Sequence, residues 1–150
     1  VTTVAFPEAL ETAICWGWID NQRLPLDETF YLQRFSRRKP KSGWSKINTE
    51  KAEALIALGR MQPPGMREVE AAKADGRWAA AYQGQKSAAP PEDFMAELEK
   101  NPEATAFYGT LNSVNRYAIY YRLQSAKRPE TRRARIEKFV QMLAEGRKFY

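Results

Sequence analysis

Between residues 16 and 48 the chain stops reading as helix, and this break limits the fold more than any other feature. Before it, Leu10, Ala13 and Ile14 recur at helical spacing, with Glu8, Glu11 and Thr12 on the other side. Pro7 suits a first turn, where its missing N–H is not needed, and Gly17 suits a left-handed stop. From Trp18 the period becomes two. Trp18, Asp20, Gln22 and Leu24 then face one way, and Ile19, Asn21 and Arg23 the other. Pro25-Leu26-Asp27-Glu28 has turn chemistry. Residues 29–35 are β-rich, with Phe30 and Leu32 opposite Tyr31 and Phe35. The pattern predicts a β-hairpin, which is marginal in water unless it lies on helices or joins further strands. Residues 37–43, RRKPKSG, read as a loop. The first helix starts abruptly near Val1 with nothing before it to pack on, so an upstream segment of strands is expected to be missing.

Everything after the break reads as helix. Ser45 or Asn48 can cap a helix over about 46–59, with Ala52, Leu55 and Ile56 inward and Gly59 at its end. Pro63-Pro64-Gly65 separates it from a shorter helix with Met66, Val69 and Ala72 in phase, ended by Gly76. Trp78 and Tyr82 follow as core anchors. Residues 83–91 have the composition of a flexible linker. Pro91 opens a helix with Phe94 and Leu98, and Asn101-Pro102 signals another with Phe107 and Leu111. Ser113 can cap a third, in which Tyr117 and Tyr121 share a face. Pro129 starts the last, whose stripe is Ile136, Phe139, Val140 and Leu143. The expected fold is α+β: a helix-dominated single domain over 1–150, with a small antiparallel β-hairpin or sheet near the N-terminus.

Composition removes several chemistries. The 150 residues contain no histidine, which excludes Ser-His-Asp and Cys-His catalysis. One cysteine and no histidine leave zinc and iron–sulfur sites almost without ligands; carboxylate-held magnesium stays open in principle, but no paired-acid motif points to it, so no metal and no cofactor are expected. Cys15 has no base to activate it and reads as packing. No glycine loop is built to cradle phosphate. No apolar run is long enough to span a membrane, and the first residues lack a signal-peptide pattern. With a single cysteine, which cannot close an internal disulfide, this places the protein in the cytoplasm.

The net charge of +6 is unevenly spread. Residues 1–33 carry one cation and five acids, and 34–46 carry six cations and no acid. Residues 47–115 carry seven cations and ten acids, and 116–150 carry ten cations and three acids. The first basic block has Phe35 and Trp44 within it, which suits phosphate contact with base stacking; the plainer reading is a solvated surface. Arg34, inside the strand, can pair with Asp20 or Glu28. In the second block, Lys127, Arg128, Arg132, Arg133 and Arg135 gather at a helix start, where the dipole prefers acids. Either a function holds them there, or Glu130 and Glu137 serve as their partners.

Five segments carry a resemblance: 13–20 (AICWGWID), 30–48 (FYLQRFSRRKPKSGWSKIN), 53–61 (EALIALGRM), 71–78 (AAKADGRW) and 115–142 (NRYAIYYRLQSAKRPETRRARIEKFVQM). In that order, they make the chain similar to the bacteriocin-protection, YdeI/OmpD-associated family of bacterial proteins. The resemblance implies association with protection against bacteriocins and cationic peptides, and with stress response. It supplies no catalytic residues. In that family the GWID segment follows an N-terminal stretch of strands and a helix, which agrees with the expected missing segment.

The first functional reading is therefore a small cytoplasmic binding or interaction protein contributing to envelope stress tolerance, with an unknown protein or a small anionic ligand as partner. Its candidate surface joins Trp18, Asp20, Gln22 and Arg34 of the hairpin, Arg37, Arg38, Trp44 and Asn48 after it, and Asn115 and Arg116 of a later helix, as one polar, aromatic-lined cleft. The second reading, less favoured, is nucleic-acid binding through both basic blocks. The third is an enzyme acting on a small anion, with Asp20 as base and Arg34 or Arg116 as clamp; no activated nucleophile or metal set supports it.

Overall fold

The computed structural model describes residues 3–150; the expectation attached to Val1 lies outside the described residues. They form seven helices and one two-stranded antiparallel sheet near the N-terminus, an α+β fold dominated by helix. The chain divides into two compact units, one ending at Tyr82 and the other starting at Gln83. Each has its own apolar core.

The first unit holds α1 (Phe6–Cys15), β1 (Trp18–Pro25), β2 (Tyr31–Arg37), α2 (Lys46–Ala57) and α3 (Pro63–Ala74). The predicted stripe of α1 is the buried one: Leu10, Ala13 and Ile14, joined by the free thiol Cys15. Burial raises the pKa of that thiol. Leu55, Val69, Ala72 and Trp44 complete the core. Ser45, not Asn48, caps α2, its hydroxyl accepting from the Asn48 N–H at 3.2 Å. The start of α3 docks on the end of α1, where the Gln62 N–H donates to the Cys15 carbonyl at 3.2 Å. A Cβ on Gly65 would overlap that same carbonyl, so only glycine lets the two helices approach this closely.

The hairpin departs from simple alternation. Trp18 pairs with Arg37, Ile19 with Ser36 and Asp20 with Phe35, but beyond an irregularity at Asn21 and Gln22 the partners are Arg23 with Gln33 and Leu24 with Leu32. The extra residue exchanges the faces. Arg23 therefore lies on the side of Asp20, with its guanidinium 3.5 Å above the Tyr31 ring, and Leu24 lies on the other side with Leu32. That second face leaves Leu24 and Leu32 exposed. The first is partly covered by α1, where Phe6 stacks on Phe35 at 6.4 Å.

The second unit holds α4 (Glu92–Leu98), α5 (Pro102–Thr110), α6 (Ser113–Gln124) and α7 (Pro129–Ala144). Phe94, Leu98, Ile119, Leu123 and the predicted α7 stripe of Ile136, Phe139, Val140 and Leu143 form its core. Asn101 caps α5 as expected, while Asn112, one residue before Ser113, caps α6. The segment read as a linker begins with a residue that is tied down on both sides. The Gln83 N–H donates to the Tyr120 hydroxyl, and its carbonyl accepts from Tyr117.

The basic start of α7 has a structural account. Arg132 donates to both carboxylate oxygens of Asp93 and also to the Leu123 carbonyl at 2.9 Å. Arg135 donates to the Arg122 carbonyl and the Ser125 hydroxyl. Those carbonyls lie in the last turn of α6, where they have no partner within the helix and where the dipole favours cations. The arginines are unfavourably placed for α7 and favourably placed for the helix before it.

Candidate anion-binding site

Three segments of the first unit meet at the base of the hairpin. The chain leaves α1 at Trp16, turns at Gly17 and enters β1 at Trp18. The returning strand ends at Arg37, and the Arg38 N–H donates to the Gly17 carbonyl at 3.1 Å. From the other side α3 brings Pro64, Arg67 and Glu68. These residues line a hollow of about 350 Å³. Gly17 has φ 76°, and a Cβ there would stand 3.0 Å from the Pro64 carbonyl and 3.1 Å from Glu68 Cγ. Both the turn and the close approach of α3 thus require glycine at this position.

Arg38 is the centre of the site. It is only 5% exposed. Its guanidinium lies 3.5 Å above the ring of Trp44, and its Nη1 donates to the Gly43 carbonyl at 3.1 Å. Trp44 is 1% exposed and packs against Trp78 at 4.9 Å. The remaining edge of the guanidinium, Nε and Nη2, is buried and meets no acceptor among the described residues. Nε–H and Nη2–H lie side by side in one plane, the two-point fork that grips carboxylate or phosphate. Burying such a group without an anion is costly. Burial pushes the pKa of Arg38 down to about 10, opposed chiefly by the charge of Glu68. The group stays cationic at neutral pH. Glu68 nevertheless closes no salt bridge with it among the described residues.

A neighbouring arginine shows what satisfaction looks like in the same unit. Arg77 is also buried, and its Nε donates to both oxygens of Asp75 at 2.8 and 2.7 Å while Nη1 donates to the Ser42 carbonyl at 2.8 Å. Two arginines hold the loop of residues 38–44; one has its acceptors and the other has half of them.

Of the sequence-predicted residues, Trp18, Arg37 and Arg38 line the hollow, and Trp44 lies beneath Arg38 with no open face. Asp20 shares a hairpin face with Trp18 and Arg37 by register. Gln22 sits in the irregular part of β1 and is exposed. Arg34, next to Phe35, falls on the opposite face from Asp20, and it forms no ion pair among the described residues. Asn48 is buried behind the start of α2. Asn115 and Arg116 belong to the second unit and are engaged there. Asn115 is 2% exposed and bonds Asn112, Phe149 and Tyr150. Arg116 donates to the Gly109 carbonyl and lies 5.2 Å above the Tyr108 ring. Pro64, Arg67 and Glu68 were not expected. The run Pro63-Pro64-Gly65 signals a close approach, but nothing local says to which part of the chain.

Among the described residues no group of histidine, cysteine, aspartate or glutamate side chains is arranged to hold a metal ion. No helix among the described residues is long and apolar enough to cross a membrane.

Comparison with known proteins separates the same two stretches. Residues 87–146 match the family model described as bacteriocin-protection, YdeI or OmpD-associated. The match lies within the second unit, and the segment 115–142 of the resemblance falls inside it. Residues 1–68 match a different model, described as a domain of unknown function. The segments 13–20, 30–48 and 53–61 fall inside that one, and 71–78 lies outside both. No curated protein and no solved structure matches the chain.

Proposed function

We propose that this chain is a binding protein, not a catalyst, that takes a small anion in the Trp16–Arg38–Glu68 hollow, and that it contributes from the cytoplasm to bacteriocin protection and envelope stress tolerance through that ligand. One observation carries the reading: a buried arginine held on a tryptophan and a carbonyl, with its two-point edge left without an acceptor. The family match of the second unit supports the protective role. The free, buried Cys15 fits a reducing compartment.

Catalysis with Arg34 as the clamp has less support, because Asp20 and Arg34 occupy opposite faces of the hairpin. Nucleic-acid binding also loses ground. Trp44, the aromatic inside the basic loop, is buried and offers no surface to a base.

The reading is tested by thermal shift with acetate, phenylacetate and phosphate against an uncharged control. The expected result is a dose-dependent rise in Tm with at least one anion, which Arg38→Met abolishes. No rise with any anion, or a rise that survives Arg38→Met, rejects the reading.

A further inference from the structure

The hollow has a second character besides its charge. Trp16 is 51% and Trp18 37% exposed, and both line the space beside the buried guanidinium. Two accessible indoles next to an unsatisfied two-point donor make an amphipathic receptor: flat apolar surface on one side and a planar pair of N–H groups on the other. The donor edge is closed to water as it stands, so a rim side chain must move before a ligand reaches it. Arg37 and Arg67 are cations and have no electrostatic reason to stay near Arg38. Glu68 has one. It is half-buried, its Cγ stands over Gly17, and its charge acts on Arg38 more than that of any other residue.

Resting on the anion-site reading, we propose that the ligand is a monocarboxylate on a flat apolar body, with its oxygens on the Nε–Nη2 edge of Arg38 and its body against Trp16 and Trp18, and that Glu68, on the rim, swings aside to admit it. The shape of the donor favours carboxylate over phosphate. One planar fork satisfies both oxygens of a carboxylate. The further oxygens of a phosphate would face Glu68 and the indoles, which offer repulsion and apolar surface. The indoles in turn favour an aromatic carboxylate over a bare one, since acetate leaves them uncovered.

The test is calorimetric titration of the full chain with phenylacetate, acetate and inorganic phosphate, repeated with Glu68→Gln, Trp18→Ala and Arg38→Lys. The expected order is phenylacetate about tenfold or more tighter than acetate or phosphate. Glu68→Gln tightens phenylacetate about threefold or more by removing a rim charge that repels the ligand's carboxylate, and Trp18→Ala brings phenylacetate close to acetate. Arg38→Lys keeps the charge, loses the fork and weakens phenylacetate about tenfold. If that variant does not fold, the Glu68 and Trp18 variants, both altered at the rim, still decide. Phosphate binding as tightly as phenylacetate, or equal binding of the two carboxylates, overturns the inference and leaves the anion-site reading standing. Unchanged or weaker binding by Glu68→Gln removes the gating role of Glu68. If none of the three probes binds, both fall together.

Discussion

The hollow of the first unit and the α6–α7 junction of the second treat arginine in opposite ways. In the second, Arg132 and Arg135 are spread over a carboxylate, two main-chain carbonyls and a hydroxyl. They tie α7 to the end of α6, and their geometry leaves no need for a ligand. In the first, Arg38 is more deeply buried, yet it has one carbonyl, one ring and an edge with nothing on it. A fully bonded cation is explained by the fold that bonds it. A half-bonded one in a hollow is not, and functional sites are where proteins tolerate such a cost. Charge alone would have ranked these arginines alike.

The largest effect should come from breaking a fully bonded group. Asn115→Ala strips the amide that accepts from Phe149 and Tyr150 and donates to Asn112 and Tyr150. It removes every bond of a buried amide and leaves part-buried backbone donors unmet, so the expected loss is about 2–3 kcal/mol in chemical denaturation. Hydrogen exchange should rise over residues 147–150 first. A loss under about 0.5 kcal/mol would show that the amide does not hold the terminal segment.

Arg132→Met comes next. It removes the bonds to Asp93 and to the Leu123 carbonyl, but Asp93 is about half exposed and water can replace the lost partner. The expected cost is about 1–2 kcal/mol. A pH signature accompanies it. The hydrogen bond from Arg132 holds the Asp93 pKa below its usual value, with Coulomb attraction from Arg132 and the Phe94 N–H helping against burial. A depressed carboxylate stabilises the fold above its unfolded pKa, about 4. That stability is lost as pH falls below this value through the depressed one. In Arg132→Met the acid limb of the stability curve should flatten. An unchanged limb would mean that the pair contributes nothing in solution.

How far these roles could be read from sequence depends on their range. The stripe of α7 and the cap at Asn101 are local patterns, and both stand where periodicity and capping chemistry put them. The hairpin was legible, but its faces were not. A single extra residue at Asn21–Gln22 exchanges them, and no residue there announces an irregularity. The basic start of α7 read as a local conflict because its partners, Leu123 and Asp93, lie in other elements. The candidate site shows the same limit. Trp18, Arg37 and Arg38 were visible as a cluster in sequence, whereas Arg67 and Glu68 reach them only because Gly65 lets α3 close on Cys15.

The smallest stability effect should be at Arg38, and it is the one that separates the two units most sharply. Arg38→Met keeps the stem over Trp44 and removes a desolvated charge whose Nε and Nη2 have no acceptor. The loss is one bond to the carbonyl of Gly43, an exposed residue whose carbonyl water can satisfy instead. Replacing a buried, poorly paired charge by an apolar side chain of similar size is often neutral or stabilising. The expected change in denaturation free energy is therefore within about 1 kcal/mol of zero, on either side, where Arg132→Met is clearly destabilising. A loss of about 3 kcal/mol would mean that Arg38 is bonded in solution after all, with Glu68 as the obvious partner, and the hollow would then be an internal salt bridge with no call for a ligand. A neutral result together with abolished anion binding is what a residue kept for binding, and not for folding, should give.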